Sequence, residues 1–256
     1  KICQEESEQF AEDLVMGRHR VAYFGCPNCD FIQTQPPTWL KEAYDSPINR
    51  TDVGYVSRNV VLSRITHSLI ACCFSKDGPF IDYGGGYGLF VRMMRDRGFD
   101  FFRQDRFCPN LFAPDFEAIP GRRYELLTAF EVFEHLENPL GELEQMLAWS
   151  DSIFLSTNLT PEKRPLPGRW WYYGLDHGQH IAFYSLKSLQ VMADRMNLHL
   201  YSNGPWLHLF SKRKISPFVF RMAVHPKAAL LTQWIARRKS LLLQDHQKAL
   251  QTRSSV

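Results

Sequence analysis

The sequence predicts an α/β fold with a largely parallel sheet, and three observations carry that prediction. Short apolar strands alternate with helices at a regular pitch across residues 78–200. The first of these strands runs straight into glycines and then into a helix, the layout of a loop that seats a ligand on bare backbone. The next strand ends on an acid, Asp105.

The elements follow in order. Residues 52–75 carry apolar positions at helical spacing (Val56, Val60, Ile65, Leu69) and stop before the turn Lys76-Asp77-Gly78-Pro79. Strands are expected at 80–82, 99–104, 124–130 and 152–157, with helices at 89–97, stopped by Gly98, and at 139–149. Residues 158–180 form a loop rich in Pro, Gly, Trp and Tyr, long enough to read as a lid or substrate loop. A helix at 185–197 and a hairpin of 198–201 with 207–210 close the pattern. From Pro226 onward a basic amphipathic helix is expected. Packing on the body or on a second subunit, as a homodimer, ranks ahead of membrane binding for it. The chain thus divides into a small N-terminal unit at 1–50, a main domain at 51–215 and a helical tail at 216–256.

Composition narrows the class. With 256 residues, 45% hydrophobic and 22% charged, the chain has the make-up of a globular enzyme. A net charge of +3 is too small for a nucleic-acid partner, and the basic runs at 211–214 and 237–239 read as solvated faces. No apolar stretch has membrane-spanning length and no leader pattern stands at the start, although a chain beginning at Lys1 points to a trimmed N-terminus. Cys72 and Cys73 are adjacent and Cys108 stands alone, a pattern of reduced thiols that predicts a cytoplasmic protein.

The glycine loop reads Asp82-Tyr83-Gly84-Gly85-Gly86-Tyr87-Gly88. A dinucleotide fingerprint would place its third glycine at 89, which is Leu89, so a nicotinamide enzyme is disfavoured. Glycines at 84, 86 and 88 behind a carboxylate suit S-adenosylmethionine, whose ammonium an acid at the loop can meet. Asp105 can accept from both ribose hydroxyls.

These residues, with the block Ala129-Phe130-Glu131-Val132-Phe133-Glu134-His135-Leu136-Glu137-Asn138-Pro139, resemble class I S-adenosylmethionine-dependent methyltransferases. The resemblance covers about residues 78–200. It implies a Rossmann-like methyltransferase fold with a mostly parallel seven-stranded sheet flanked by helices. It also implies that Asp82, Tyr83, Gly84, Gly86 and Gly88 seat the cofactor, that Phe130 and Glu131 line it, and that His135 lies near the reaction centre. The ending Glu134-His135-x-x-x-Pro139 is similar to the quinone and small-molecule O-methyltransferase branch. Tyr83-Gly84-Gly85 departs from the small residue or Cys that often follows the first glycine.

Methyl transfer is a displacement at an activated carbon, so the protein must align the nucleophile and remove its proton. His135 and His180 are the candidate bases, with His180 preferred over His177 because the apolar run 181–184 follows it directly. The aromatic run 170–173 reads as a stacking surface for a flat or sugar-like acceptor, or as core. A metal held by His135, His177 and His180 with Glu134 nearby matches no defended signature.

Cys26-Pro27-Asn28-Cys29 is half of a zinc knuckle, and Cys3 offers a third thiolate. Reduced turn cysteines are the plain alternative. Some sugar-modifying methyltransferases carry an N-terminal unit with two C-x-x-C pairs. That likeness implies a structural zinc completed by a cysteine just before Lys1, with His19 as the substitute ligand. The function expected is methylation of a small polar acceptor, a sugar or nucleotide sugar, with O-methylation ahead of C- or N-methylation. A non-catalytic S-adenosylmethionine-binding protein is the reading from another class.

Overall fold

A computed structural model describes residues 1–45, 51–161 and 164–253. The expected domain boundary after residue 50 and the last three residues of the tail lie outside the described residues. In chain order the strands are β1 Glu8–Val15, β2 His19–Gly25, β3 Ile32–Thr34, β4 Phe80–Tyr83, β5 Phe101–Gln104, β6 Leu126–Phe130, β7 Ser152–Ser156, β8 Ala182–Phe183, β9 His199–Ser202 and β10 Leu207–Ser211. The helices are α1 Leu40–Ala43, α2 Tyr55–Cys73, α3 Leu89–Asp96, α4 Pro139–Trp149, α5 Leu186–Arg195, α6 Pro217–Ala223, α7 Pro226–Ile235 and α8 Leu242–Arg253.

Six strands form one sheet in the order β5-β4-β6-β7-β10-β9, and β1-β2-β3-β8 form a second. In the larger sheet β4 runs parallel to β5 and β6, while β9 and β10 form an antiparallel hairpin. Its α/β character follows the expectation, with six strands among the described residues where seven are anticipated. The segment beside β5 contributes only an isolated parallel bridge, Arg103 to Glu117.

By internal contacts the chain divides into two compact units. One comprises 51–129, 148–153 and 214–256. Here β4 is buried along its whole length, as a strand flanked on both sides must be. Gly98 (φ +85°) ends α3, with Phe99 N–H closing back on the Met94 carbonyl at 3.1 Å. Arg95 is buried, bonds both carboxylate oxygens of Asp245 at 2.8–2.9 Å and stacks over Phe116, which ties α8 to α3. Among the described residues, the single helix expected from Pro226 onward is two, α7 and α8, with α6 ahead of them. Proline opens α6 and α7 at their first turns, where its missing N–H costs nothing. Residues 237–240 break the helical run, and Arg238 there bonds the Gly98 carbonyl and Asp77 instead of facing solvent.

The other unit comprises 1–50, 130–147 and 154–213. Its core gathers Val15, Val21, Tyr23, Ile32, Trp39, Tyr172, Tyr173 and Phe183. β3 pairs with β8, so the N-terminal strands share a sheet with residues 182–183. Ser185 caps α5 by a reciprocal pair of bonds with Ser188. No helix among the described residues is long and apolar enough to cross a membrane.

Candidate active site

The glycine loop needs its glycines. Gly84, Gly86 and Gly88 have φ of +68°, +52° and +85°, a region that costs other L-residues strain. A Cβ on Gly85 would stand 2.9 Å from Asp82 Oδ2, so the loop lies directly on that carboxyl. Asp82 itself is buried beneath the loop and accepts the Thr128 hydroxyl at 2.6 Å. Burial, reinforced by the Asp105 charge, pushes its carboxyl up to about 7. Asp105 grips the loop from the end of β5. Its Oδ2 accepts Gly86 N–H at 2.9 Å, and its Oδ1 accepts the Phe107 and Cys108 N–H groups at 2.8 Å.

Two residues that the sequence did not single out complete this arrangement. Arg103 is buried, and its guanidinium bonds the Gly86 carbonyl and Glu117 at 2.7 Å each, together with the Cys108 carbonyl. Tyr55, at the start of α2, is the only group among the described residues that a Cβ on Gly86 would meet within 4 Å, its hydroxyl lying 3.4 Å away.

A second constellation follows β6. Tyr83 and Phe130 end their strands β4 and β6, and Glu131 then adopts φ +54°, a strained conformation held by Ser156. The Ser156 hydroxyl accepts Glu131 N–H at 2.9 Å and donates to Glu131 Oε1 at 2.6 Å. Residues Phe133–His135 form one 3₁₀ turn that buries Glu134 completely. Tyr172 donates to Glu134 Oε1 at 2.7 Å, while Oε2 has no hydrogen-bond partner among the described residues. Burial, with the Glu131 charge second, pushes this carboxyl up to about 8, so it is protonated at neutral pH.

The two expected histidines come together here. The His135 and His180 rings lie 5.0 Å apart, edge to face. His180 Nδ1 is 2.6 Å from the Tyr172 carbonyl, and His135 Nδ1 is 3.0 Å from the Gln179 carbonyl. A carbonyl only accepts, so each Nδ1 carries the proton and each Nε2 carries the lone pair. His135 Nδ1 also meets the Tyr44 hydroxyl at 2.8 Å. Burial lowers its pKa to about 4, which leaves a neutral and weakly basic ring. His177 has the opposite tautomer, since its Nδ1 accepts Gln179 N–H at 3.1 Å. Ligand atoms of Glu134, His135 and His180 lie within 4.8 Å of one another, so this trio has the spacing to hold a metal ion as well.

A methyltransferase-domain family matches residues 58–203, more than half of the sequence. The chain belongs to that family. It is an S-adenosylmethionine-dependent methyltransferase of class I, with the glycine loop, Asp105 and the 130–139 block all inside the matched region. The plantazolicin methyltransferase BpumL, solved in complex with SAH, is 13% identical with a TM-score of 0.50, over 68% of this chain and 93% of that one. The mitomycin 7-O-methyltransferase MmcR is 13% identical (TM-score 0.45), over 67% of this chain and 59% of that one. CalO1, a methyltransferase in calicheamicin biosynthesis, is 14% identical (TM-score 0.43), over 68% and 61%. At these identities the likeness is one of fold. No curated protein sequence matches the chain.

The methyltransferase brings its three N-terminal cysteines together. Ligand atoms of Cys3, Cys26 and Cys29 lie within 4.8 Å of one another, and Cys3 Sγ is 3.3 Å from Cys26 Sγ. That is too long for a disulfide and close to the edge of about 3.8 Å of a thiolate tetrahedron around zinc. Arg195 fixes the segment by donating to the Ile2 carbonyl at 2.8 Å. His19 does not join the cluster: its Nε2 bonds Glu42 at 2.8 Å and its ring stacks on Trp39.

The aromatic run reads differently in the structure of the methyltransferase. Tyr172 and Tyr173 are core and Trp170 packs against them, so only Trp171 keeps an exposed ring. Tyr173 meets Tyr23 edge to face and Phe183 at a tilt, contacts that a solvent-facing stacking surface would forgo.

Proposed function

We propose that this methyltransferase methylates a small polar acceptor, a sugar or nucleotide sugar, with O-methylation the favoured outcome. The observation that carries the reading is the paired histidines, each with Nδ1–H on a backbone carbonyl, a tautomer that places the ring lone pair on Nε2. Such a ring is preset to take a proton. His180 is the base, because His135 with its pKa near 4 is too weak an acceptor at neutral pH, and His135 orients the acceptor. Asp82, Tyr83, Gly84, Gly86, Gly88 and Asp105 hold S-adenosylmethionine, Phe130 and Glu131 line it, and Tyr55 borders the loop.

When bound, the sulfonium supplies a methyl carbon already activated for displacement. The chain's own task is to orient the acceptor hydroxyl and to receive its proton on His180 Nε2 as the new O–C bond forms. The same base would serve C- or N-methylation of a sugar. The test is incubation of the protein and S-adenosylmethionine with a panel of nucleotide sugars, in which one product should gain a methyl group. A panel left unmodified by protein that binds the cofactor would favour the non-catalytic reading. Turnover should withstand a chelator, and a loss restored by a divalent cation would reassign Glu134, His135 and His180 as metal ligands.

Cys3, Cys26 and Cys29 are proposed as three ligands of a structural zinc. The support is the convergence of Cys3 on Cys26, 23 residues on, with Cys29 beside them. Elemental analysis is expected to find about one zinc per chain. Folded protein free of metal would leave three reduced thiols and no zinc site.

A further inference from the structure

The tail carries a surface that methyl transfer does not use. From residue 214 onward the sequence has eight Lys or Arg residues against a single acid, Asp245, while the rest of the chain has 22 against 26. The modest net charge of the whole protein therefore hides a tail of +7 on a body of −4. The tail is also apolar on its outer face. α7 buries Ala229 and packs on α2, yet Leu230, Leu231, Trp234 and Ile235 are 55%, 59%, 79% and 69% exposed. These positions share one face by their helical spacing, and Lys227 and Arg237, both exposed, stand at the two ends of that stripe. Four large apolar side chains side by side are more than the scattered exposure of an ordinary surface.

The occupant follows from charge. A second copy seated on the same face would oppose one +7 tail with another, so self-association there works against its own electrostatics. An anionic lipid surface satisfies both features, since headgroups attract the basic residues and the interfacial layer takes Trp and Leu side chains. We propose that α7 and its basic flanks dock this enzyme peripherally on an anionic membrane, with the α7 stripe entering the headgroup layer. The proposal stands apart from the reading of the active site, because it uses none of its residues.

The test uses the full chain and vesicles of phosphatidylcholine with or without phosphatidylglycerol. Cosedimentation is expected with the anionic vesicles, weakening by about tenfold or more on neutral ones and at high salt. Leu231→Ser with Trp234→Ser should lower the partition by a similar factor, as should Arg237→Glu with Lys239→Glu. Neither pair should alter S-adenosylmethionine affinity, which also reports that the variants fold. Three results would overturn the proposal: no binding to anionic vesicles by cofactor-competent protein, binding indifferent to both variant pairs, or a solution dimer that the apolar pair dissociates.

Discussion

Replacing His180 by Ala is expected to cut turnover by about 10²–10⁴ while leaving S-adenosylmethionine affinity unchanged within about twofold. The size reflects what a positioned base contributes to a step in which a neutral hydroxyl must lose its proton. The selectivity follows from where the ring is tied, because its Nδ1 is held by Tyr172 O at 2.6 Å rather than by any residue of the glycine loop. The measurement is single-turnover methylation as a function of pH. Loss of the acid limb of the wild-type profile marks the proton acceptor, and a purely structural histidine would lower the whole profile without removing that limb. A variant with full turnover would mean that the acceptor arrives already ionised, or that another group takes the proton.

Glu134→Gln is expected to stabilise the protein at pH 8 by about 2–4 kcal/mol and to change little at pH 5. The sign follows from linkage. Burial raises the Glu134 carboxyl from its ordinary 4.5 to about 8, so the folded chain keeps a proton that the unfolded chain releases. The group costs folding nothing extra below its unfolded pKa. The cost grows as pH rises between the two values and is complete above about 8. Asp82, raised from 3.8 to about 7, contributes in the same direction. The wild type should therefore lose stability steadily from about pH 5 to pH 8, and the amide, which carries no charge, should remove the Glu134 share. Its carbonyl can still accept from Tyr172, so little packing is lost. Denaturant melts at the two pH values decide the matter. Equal destabilisation at both would show that the carboxyl pays no ionisation cost in the fold.

Much of this architecture is written in local signals. Gly84, Gly86 and Gly88 are legible because a positive φ leaves glycine little competition, and Gly98 marks the end of α3 for the same reason. β4 and β7 stand out by their apolar pieces Phe80-Ile81 and Ile153-Phe154-Leu155, because both of their faces are buried. Asp105 was legible as an acid at a strand end, though its present partners are the N–H groups of its own loop.

Long-range pairings were not legible. Nothing near Glu134 in sequence announces that Tyr172, 38 residues on, will bury it, or that Tyr44 will reach His135 from 91 residues away. Arg103 did offer a signal, a cation inside the apolar strand Phe101–Gln104 two residues before Asp105. A buried guanidinium in that place needs carbonyl and carboxylate partners, and the glycine loop supplies one of them. The aromatic run at 170–173 left two readings open because hydrophobic content alone does not separate a stacking surface from core, and Tyr172 and Tyr173 took the second. The tail packs on the body through α7 and α2, as expected, but its outer stripe of Leu230, Leu231, Trp234 and Ile235 stays exposed.

The central claim is that the glycine loop, gripped by Asp105 and Arg103, seats S-adenosylmethionine. Isothermal titration of the cofactor into the wild type and into Asp105→Ala tests it most directly. One saturable site per chain is expected in the wild type. In the variant the affinity should fall by about 1–3 kcal/mol, because a charge-assisted pair to the ribose is lost and Gly86 N–H is released. No heat at high micromolar cofactor, or an affinity that the variant leaves unchanged, would contradict it.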